Sequence, residues 1–196
     1  MIYFKFSHLY FRWENFYFLL DNINKIPHMI PISLYKDFQK KNVESFTQNN
    51  TKIPQLDLLH SVIGLCEEFI EYTNATEEEH KIEELGDLLF YHTVLSYMLS
   101  INPEDFLEVE TSSEISRDEL LGQLLGQTKK YVFHGKPIYK SKFQEYLNVI
   151  LKKCDLSIFN ITYVMEYNTC KLQKRYPNGR ADNIFNKLHT LTLNII

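Results

Sequence analysis

Several features that carry familiar chemistries are missing from the 196-residue chain. Its three cysteines, Cys66, Cys154 and Cys170, are scattered, odd in number and form no CxxC pair. That argues against a disulfide framework and a zinc site, and it fits a reducing cytoplasmic compartment. There is no GxxxxGK[ST] phosphate loop, no GxSxG nucleophile elbow, no internal repeat and no low-complexity tract. No apolar run approaches the roughly 20 residues of a membrane span. The aromatic opening, MIYFKFSHLYFRWENFYFLL, is broken by Lys5, Arg12 and Glu14, and it lacks the h-region and small-residue cleavage site of a signal peptide. A net charge of -4 with 21 basic residues leaves no surplus of positive charge for a nucleic-acid surface. Neither a membrane nor a nucleic acid is therefore expected as a partner.

What is present is a packed core and a concentration of acid. A hydrophobic content of 44% suffices for one domain at this length. The expected organisation is an aromatic N-terminal extension over residues 1–30, a single all-α domain over 31–180, and a tail or short helix over 181–196. The chain is organised around residues 67–87, EEFIEYTNATEEEHKIEELGD, which reads as two helices joined by a short turn. Glu68 and Glu71 are three apart on the first, and Glu84 and Asp87 are three apart on the second. Residues at that spacing share a helix face. Two such pairs facing one another make an oxygen-rich pocket suited to a hard cation such as Mg²⁺. From Leu85 to Leu99 the second helix is apolar almost all round, and Asp87 is its one carboxylate. An ionised carboxylate buried without a partner costs several kcal/mol, roughly, even after relaxation. Asp87 needs a metal shared with its neighbours, or a buried Lys or Arg.

Helix one is expected over 34–45, with an apolar stripe of Leu34, Phe38 and Val43. Helix two is expected over 55–72, with an apolar face of Leu59, Val62, Ile63, Cys66, Phe69 and Ile70. Beside that face His60, Gly64, Glu67 and Glu71 form one stripe. Gly64 implies close approach by a ligand or another helix, and His60 reads as a pocket wall or a half-buried polar residue. Thr76 and Glu79 form a capping-box pattern that would start helix three, leaving Glu77, Glu78 and Glu79 as solvated first-turn acids. On its Glu84/Asp87 face, Tyr91 could floor a pocket. Residues 104–116 read as a loop, and helix four is expected over 117–132, with Gly122 and Gly126 four apart for close packing. Helix five is expected over 140–153 and helix six from Ser157 toward Tyr176. On helix six Asn168, Lys171, Leu172 and Arg175 share a face. Such cations hold phosphates by charge-assisted hydrogen bonds, or simply complement a helix end.

Glu67-Glu68-x-x-Glu71, followed by Glu84-x-x-Asp87, resembles the EExxE…ExxD signature of the all-α nucleoside triphosphate pyrophosphohydrolases, in particular the MazG-like members. Leu59-His60-x-x-x-Gly64-Leu65, Leu88-Leu89 and Asn168-x-x-Lys171-Leu172-x-x-Arg175-Tyr176-Pro177-x-Gly179 are similar to that family as well. The resemblance covers residues 34–180 in order, weakly over 104–160 and not at all over 1–30. It implies an all-α helical bundle and a homodimer or homotetramer. It also implies Mg²⁺-dependent hydrolysis, with Mn²⁺ as a substitute, of a nucleoside triphosphate to the monophosphate and pyrophosphate. Carried over, Glu68, Glu71, Glu84 and Asp87 are metal ligands, and Glu67 holds or deprotonates the attacking water, with Glu67 and Glu68 able to exchange roles. Lys171, Arg175, Asn168, His60 and Tyr91 are the substrate-binding candidates. Two other readings compete. A di-metal carboxylate bundle would want Glu-x-x-His on two helices, and only Glu77-x-x-His80 is present. A non-catalytic helical interaction protein would pair Asp87 with Lys171 or Arg175.

Overall fold

The computed structural model describes residues 30–47, 53–107, 115–154, 156 and 159–175. Expectations for residues 1–29, for Tyr176 to Gly179 and for 181–196 lie outside them. Among the described residues there are seven α-helices and no strand, an all-α helical bundle. They are α1 (Ile32–Thr47), α2 (Pro54–Asn74), α3 (Glu78–Met98), α4 (Pro103–Leu107), α5 (Arg117–His134), α6 (Lys140–Lys153) and α7 (Ile161–Arg175). None of them is long and apolar enough to cross a membrane.

The antiparallel hairpin of α2 and α3 is the centre of the molecule. Pro54 opens α2 at its first turn, where a missing N–H costs nothing. Leu58, Val62, Leu65, Cys66 and Phe69 of α2 join Leu85, Leu88, Leu89 and Leu95 of α3 in one buried cluster. The face differs from the expected one. Ile63 and Ile70 are 48% and 38% exposed, because the stripe turned to the core runs through Leu58, Val62, Leu65 and Phe69. The capping box is also not formed. Glu77 is the N-cap of α3, with no side-chain cap bond, so Thr76 stands one residue too early. Glu77, Glu78 and Glu79 are exposed, the first at the cap and the other two in the first turn.

The other helices buttress this hairpin. α1 and α7 pack on α3, and α5 packs on α2. α1 buries Tyr35, Phe38, Asn42 and Phe46 rather than the stripe Leu34, Phe38 and Val43. The reason is a polar seam. The Tyr35 hydroxyl lies 2.9 Å from His92 Nδ1 and 3.0 Å from Ser96 Oγ, and Asn42 Nδ2 donates to Thr93 Oγ1 at 2.9 Å. Desolvation drives the His92 imidazole down to about 3, so it is neutral across the physiological range.

Pro103 to Leu107 form a short helix where a loop is expected. Ser116 caps α5 by accepting from the Glu119 N–H at 3.2 Å, and Gly135 ends it with φ 61°, a left-handed residue that glycine adopts without penalty. A Cβ on Gly122 or Gly126 would meet nothing within 4 Å, so these glycines do not serve the close helix packing expected of them. α6 spans the expected residues. α7 begins at Ile161, later than expected, because Asn160 Oδ1 accepts from the N–H groups of Thr162 and Tyr163 at 3.1 and 3.3 Å and sets its first turn there.

Candidate metal centre

The turn over residues 75–77 brings the last turns of α2 against the first turns of α3. One carboxylate oxygen from each of Glu68, Glu71 and Glu84 lies within 4.8 Å of the others. Glu68 and Glu71 sit one turn apart on α2, and Glu84 enters from α3, buried to 6% exposure. Three acids this close cannot all carry unscreened charge. Burial first, then the negative charge of Asp87, then hydrogen bonding and repulsion from Glu84 push Glu68 up to about 9. Glu71 is raised as well, by partial burial and by Glu84, while His80 opposes the rise. His80 Nε2 lies 2.8 Å from Glu84 Oε1, one turn back along α3. The group at neutral pH thus holds a proton among its carboxylates. All-oxygen donors of this kind fit Mg²⁺ or Mn²⁺.

Asp87 stands one turn beyond Glu84 but is engaged elsewhere. Its Oδ2 pairs with Lys171 Nζ, and its Oδ1 accepts from Asn168 Nδ2 at 2.5 Å. Lys171 and Arg175 also reach Glu83 Oε1, each at 3.2 Å. The Lys171 side chain is only 10% exposed. Asn168 is fully buried, and its Oδ1 has no hydrogen-bond partner. Gly86 explains how α7 comes so near. A Cβ there would lie 2.8 Å from the Asn168 Cβ, so only glycine lets the two backbones approach.

The remaining candidates are dispersed. Glu67 is exposed and not part of the three-carboxylate group. It lines a surface groove of about 460 Å³ with Ile63, Cys66, Ile70, Leu125 and Glu71, the acid that the groove shares with the group. Gly64 meets a helix, not a ligand, because a Cβ there would fall 2.4 Å from the Tyr91 ring. His60 is exposed and packs against Phe46 and Tyr91, with ring centroids 5.4 and 5.8 Å away. It lies two turns before Glu68 on the same helix, outside the acid group. Glu77, the acid of Glu77-x-x-His80, is exposed at the N-cap. Sequence reasoning overlooked Glu83 and the contact of His80 with Glu84. The signal was there in the spacing: Glu83 and Asp87 are four apart on α3, and Lys171 and Arg175 are four apart on α7.

No protein-family model, curated protein or solved structure matches this chain.

Proposed function

We propose that the chain is a Mg²⁺-dependent nucleoside triphosphate pyrophosphohydrolase, cleaving an NTP or dNTP between its α- and β-phosphates to the monophosphate and pyrophosphate. The observation that carries this reading is the meeting of Glu68, Glu71 and Glu84 within 4.8 Å across the hairpin, with a cationic helix face beside it. The motif order adds weight, since the acids and the later Asn168, Lys171 and Arg175 fall in the order of the MazG-like signature.

In this reading Glu68, Glu71, Glu84 and Asp87 hold the metal. A bound divalent ion would neutralise the clustered charge, orient the phosphates and lower the pKa of a coordinated water. The resemblance gives Glu67 the task of accepting a proton from the attacking water, from its place on the groove it shares with Glu71. Lys171 Nζ and the Arg175 guanidinium would donate to phosphate oxygens as charge gathers there in the transition state. Asn168, buried against Gly86, would act on the site through Asp87, to which its Nδ2 donates. Tyr91 and His60 would wall the base end. A cytoplasmic location, where the three free thiols stay reduced, and a homodimer or homotetramer belong to the same reading.

One observation favours a second reading. Lys171 and Arg175 are both paired with acids of α3, as a non-catalytic helical interaction protein would have them. A pyrophosphate-release assay over the eight common NTPs and dNTPs, with Mg²⁺ and with EDTA, separates the two. Mg²⁺-dependent monophosphate and pyrophosphate support the hydrolase. Orthophosphate with diphosphate refutes the scissile bond. No product and no Mg²⁺ binding by calorimetry leave the interaction protein.

A further inference from the structure

The charges around Asp87 are arranged as an exchange. Both of its oxygens are in use, one on the Lys171 ammonium and one on Asn168 Nδ2. The ammonium is nearly buried, and its acidic contacts are Asp87 and Glu83. A buried ammonium held this way is worth little on its own but costly to strand. Close by, Glu68, Glu71 and Glu84 are crowded together, and the negative charge of Asp87 still reaches Glu68. The acids of the hairpin therefore divide into two sets: three crowded glutamates, with His80 on Glu84, and Asp87 held by an ammonium.

We infer that Lys171 is a built-in counter-cation that a divalent metal must displace from Asp87, so that metal and polyphosphate enter the site together rather than independently. This rests on the metal-centre reading above. A divalent ion drawn to Glu68, Glu71 and Glu84 gains its fourth carboxylate only when Lys171 lets go. It would also place two positive charges beside an ammonium that has lost one of its two acidic partners and keeps only Glu83. A polyphosphate resolves the conflict, because its oxygens can receive Lys171 Nζ and the Arg175 guanidinium once Asp87 and Glu83 release them. Metal and polyphosphate then favour one another through Lys171, a positive coupling between two ligands of one site. Asp87 and Glu83 are the acids that hold the cations of α7 until that point, and Lys171 is a positioning residue in the metal-free state.

Mn²⁺ binding to the full chain, followed by electron paramagnetic resonance without nucleotide, tests the exchange. Lys171→Met is expected to bind Mn²⁺ about tenfold more tightly than the wild type, within the range of coupled sites. Arg175→Met removes the same charge from a more exposed position that touches Glu83 and not Asp87, so its affinity should change by less than about threefold. ¹⁵N-lysine spectra of the wild type give a second readout that needs no substitution. There the Lys171 ammonium signal, held by Asp87, should shift and lose its protection from exchange when Mg²⁺ saturates the protein. Equal affinities of Lys171→Met and Arg175→Met, or a Lys171 signal unmoved by saturating Mg²⁺, would overturn the exchange while leaving the metal centre standing. Wild-type protein that binds no Mn²⁺ would remove the metal centre, and the exchange with it.

Discussion

Gly86→Ala and Gly122→Ala are the same substitution on two helices, and the structure gives them opposite signs. At Gly122 a Cβ would enter open space on the exposed face of α5, so alanine should add its helix propensity, about 1 kcal/mol. At Gly86 the same gain is opposed by a collision. The new Cβ would lie 2.8 Å from the Cβ of Asn168, where ordinary contact begins at 3.4 Å. The struck atom is bonded directly to the backbone of α7, so no rotamer change moves it aside. Either α7 retreats by about half an ångström, or α3 bends, and overpacking of this kind costs about 1–3 kcal/mol. The net effect is a loss of about 1 kcal/mol. The two variants should therefore differ by about 2 kcal/mol in urea unfolding, or by about 4–8 °C in melting temperature for a domain of this size. Because α7 carries Asn168 and Lys171, Gly86→Ala should also loosen their hold on Asp87 and reduce turnover, whereas Gly122→Ala should leave turnover unchanged. Equal stabilisation by both alanines would refute the close approach of α3 and α7.

Three further perturbations follow from the same contacts. Glu71→Gln, on an exposed side chain, should keep the fold by circular dichroism yet lower Mg²⁺-dependent turnover by about a hundredfold or more; full activity would remove Glu71 from the metal site. Tyr35→Phe deletes a hydroxyl shared by His92 and Ser96 in the buried seam and should cost about 1–3 kcal/mol; an unchanged urea midpoint would show that seam to be dispensable. The metal-free protein should hold its melting temperature between about pH 5 and 6.5 and lose stability from there toward pH 9. Glu68, raised from 4.5 to about 9, contributes stability that is complete below its unfolded value and is lost as pH climbs through the folded one. His92, lowered from 6.5 to about 3, contributes stability present above 6.5 and lost as pH falls, so the two oppose each other only on the acid side. Glu68→Gln should flatten the alkaline fall, and a melting temperature that rises steadily to pH 9 would contradict the shared proton.

The hairpin was legible because its evidence is periodic. Acids three apart on two adjoining helices, with a long apolar run after the second pair, define both the elements and the face they share. The all-α class and the span of α6 follow from the same kind of local pattern. What was illegible depends on partners distant in sequence. Ile63 and Ile70 fit an apolar stripe as well as Leu58 and Leu65 do, and only the position of α3 decides which side is buried. Tyr35, His92 and Ser96 look like unrelated polar residues until α1 lies on α3. Gly64 marks a close approach in any reading, but the Tyr91 ring that approaches it could not be named, and nothing local singled out Gly86, where the Asn168 side chain comes near. Both partners of Asp87, Lys171 and Asn168, lie more than eighty residues away. Composition alone could not decide between a metal and an ammonium for that carboxylate.

The weakness of the apolar seat under α7 makes its charges matter. The helix fully buries only Val164, Met165 and Asn168 among its fifteen residues. Burying two such apolar side chains is worth about 3–6 kcal/mol at best, before the cost of ordering the helix is met. Partly buried Ile161 and Leu172 add to that seat, and at its C-terminal half the helix is held on α3 by polar contacts as well: Asn168 and Lys171 on Asp87, with Lys171 and Arg175 on Glu83. Those acids flank Glu84, which belongs to the three-carboxylate group. Whatever alters the charge on the hairpin must then alter how α7 is held, and the reverse is true as well. Here its anchor is the same set of ions that a metal and a polyphosphate would compete for.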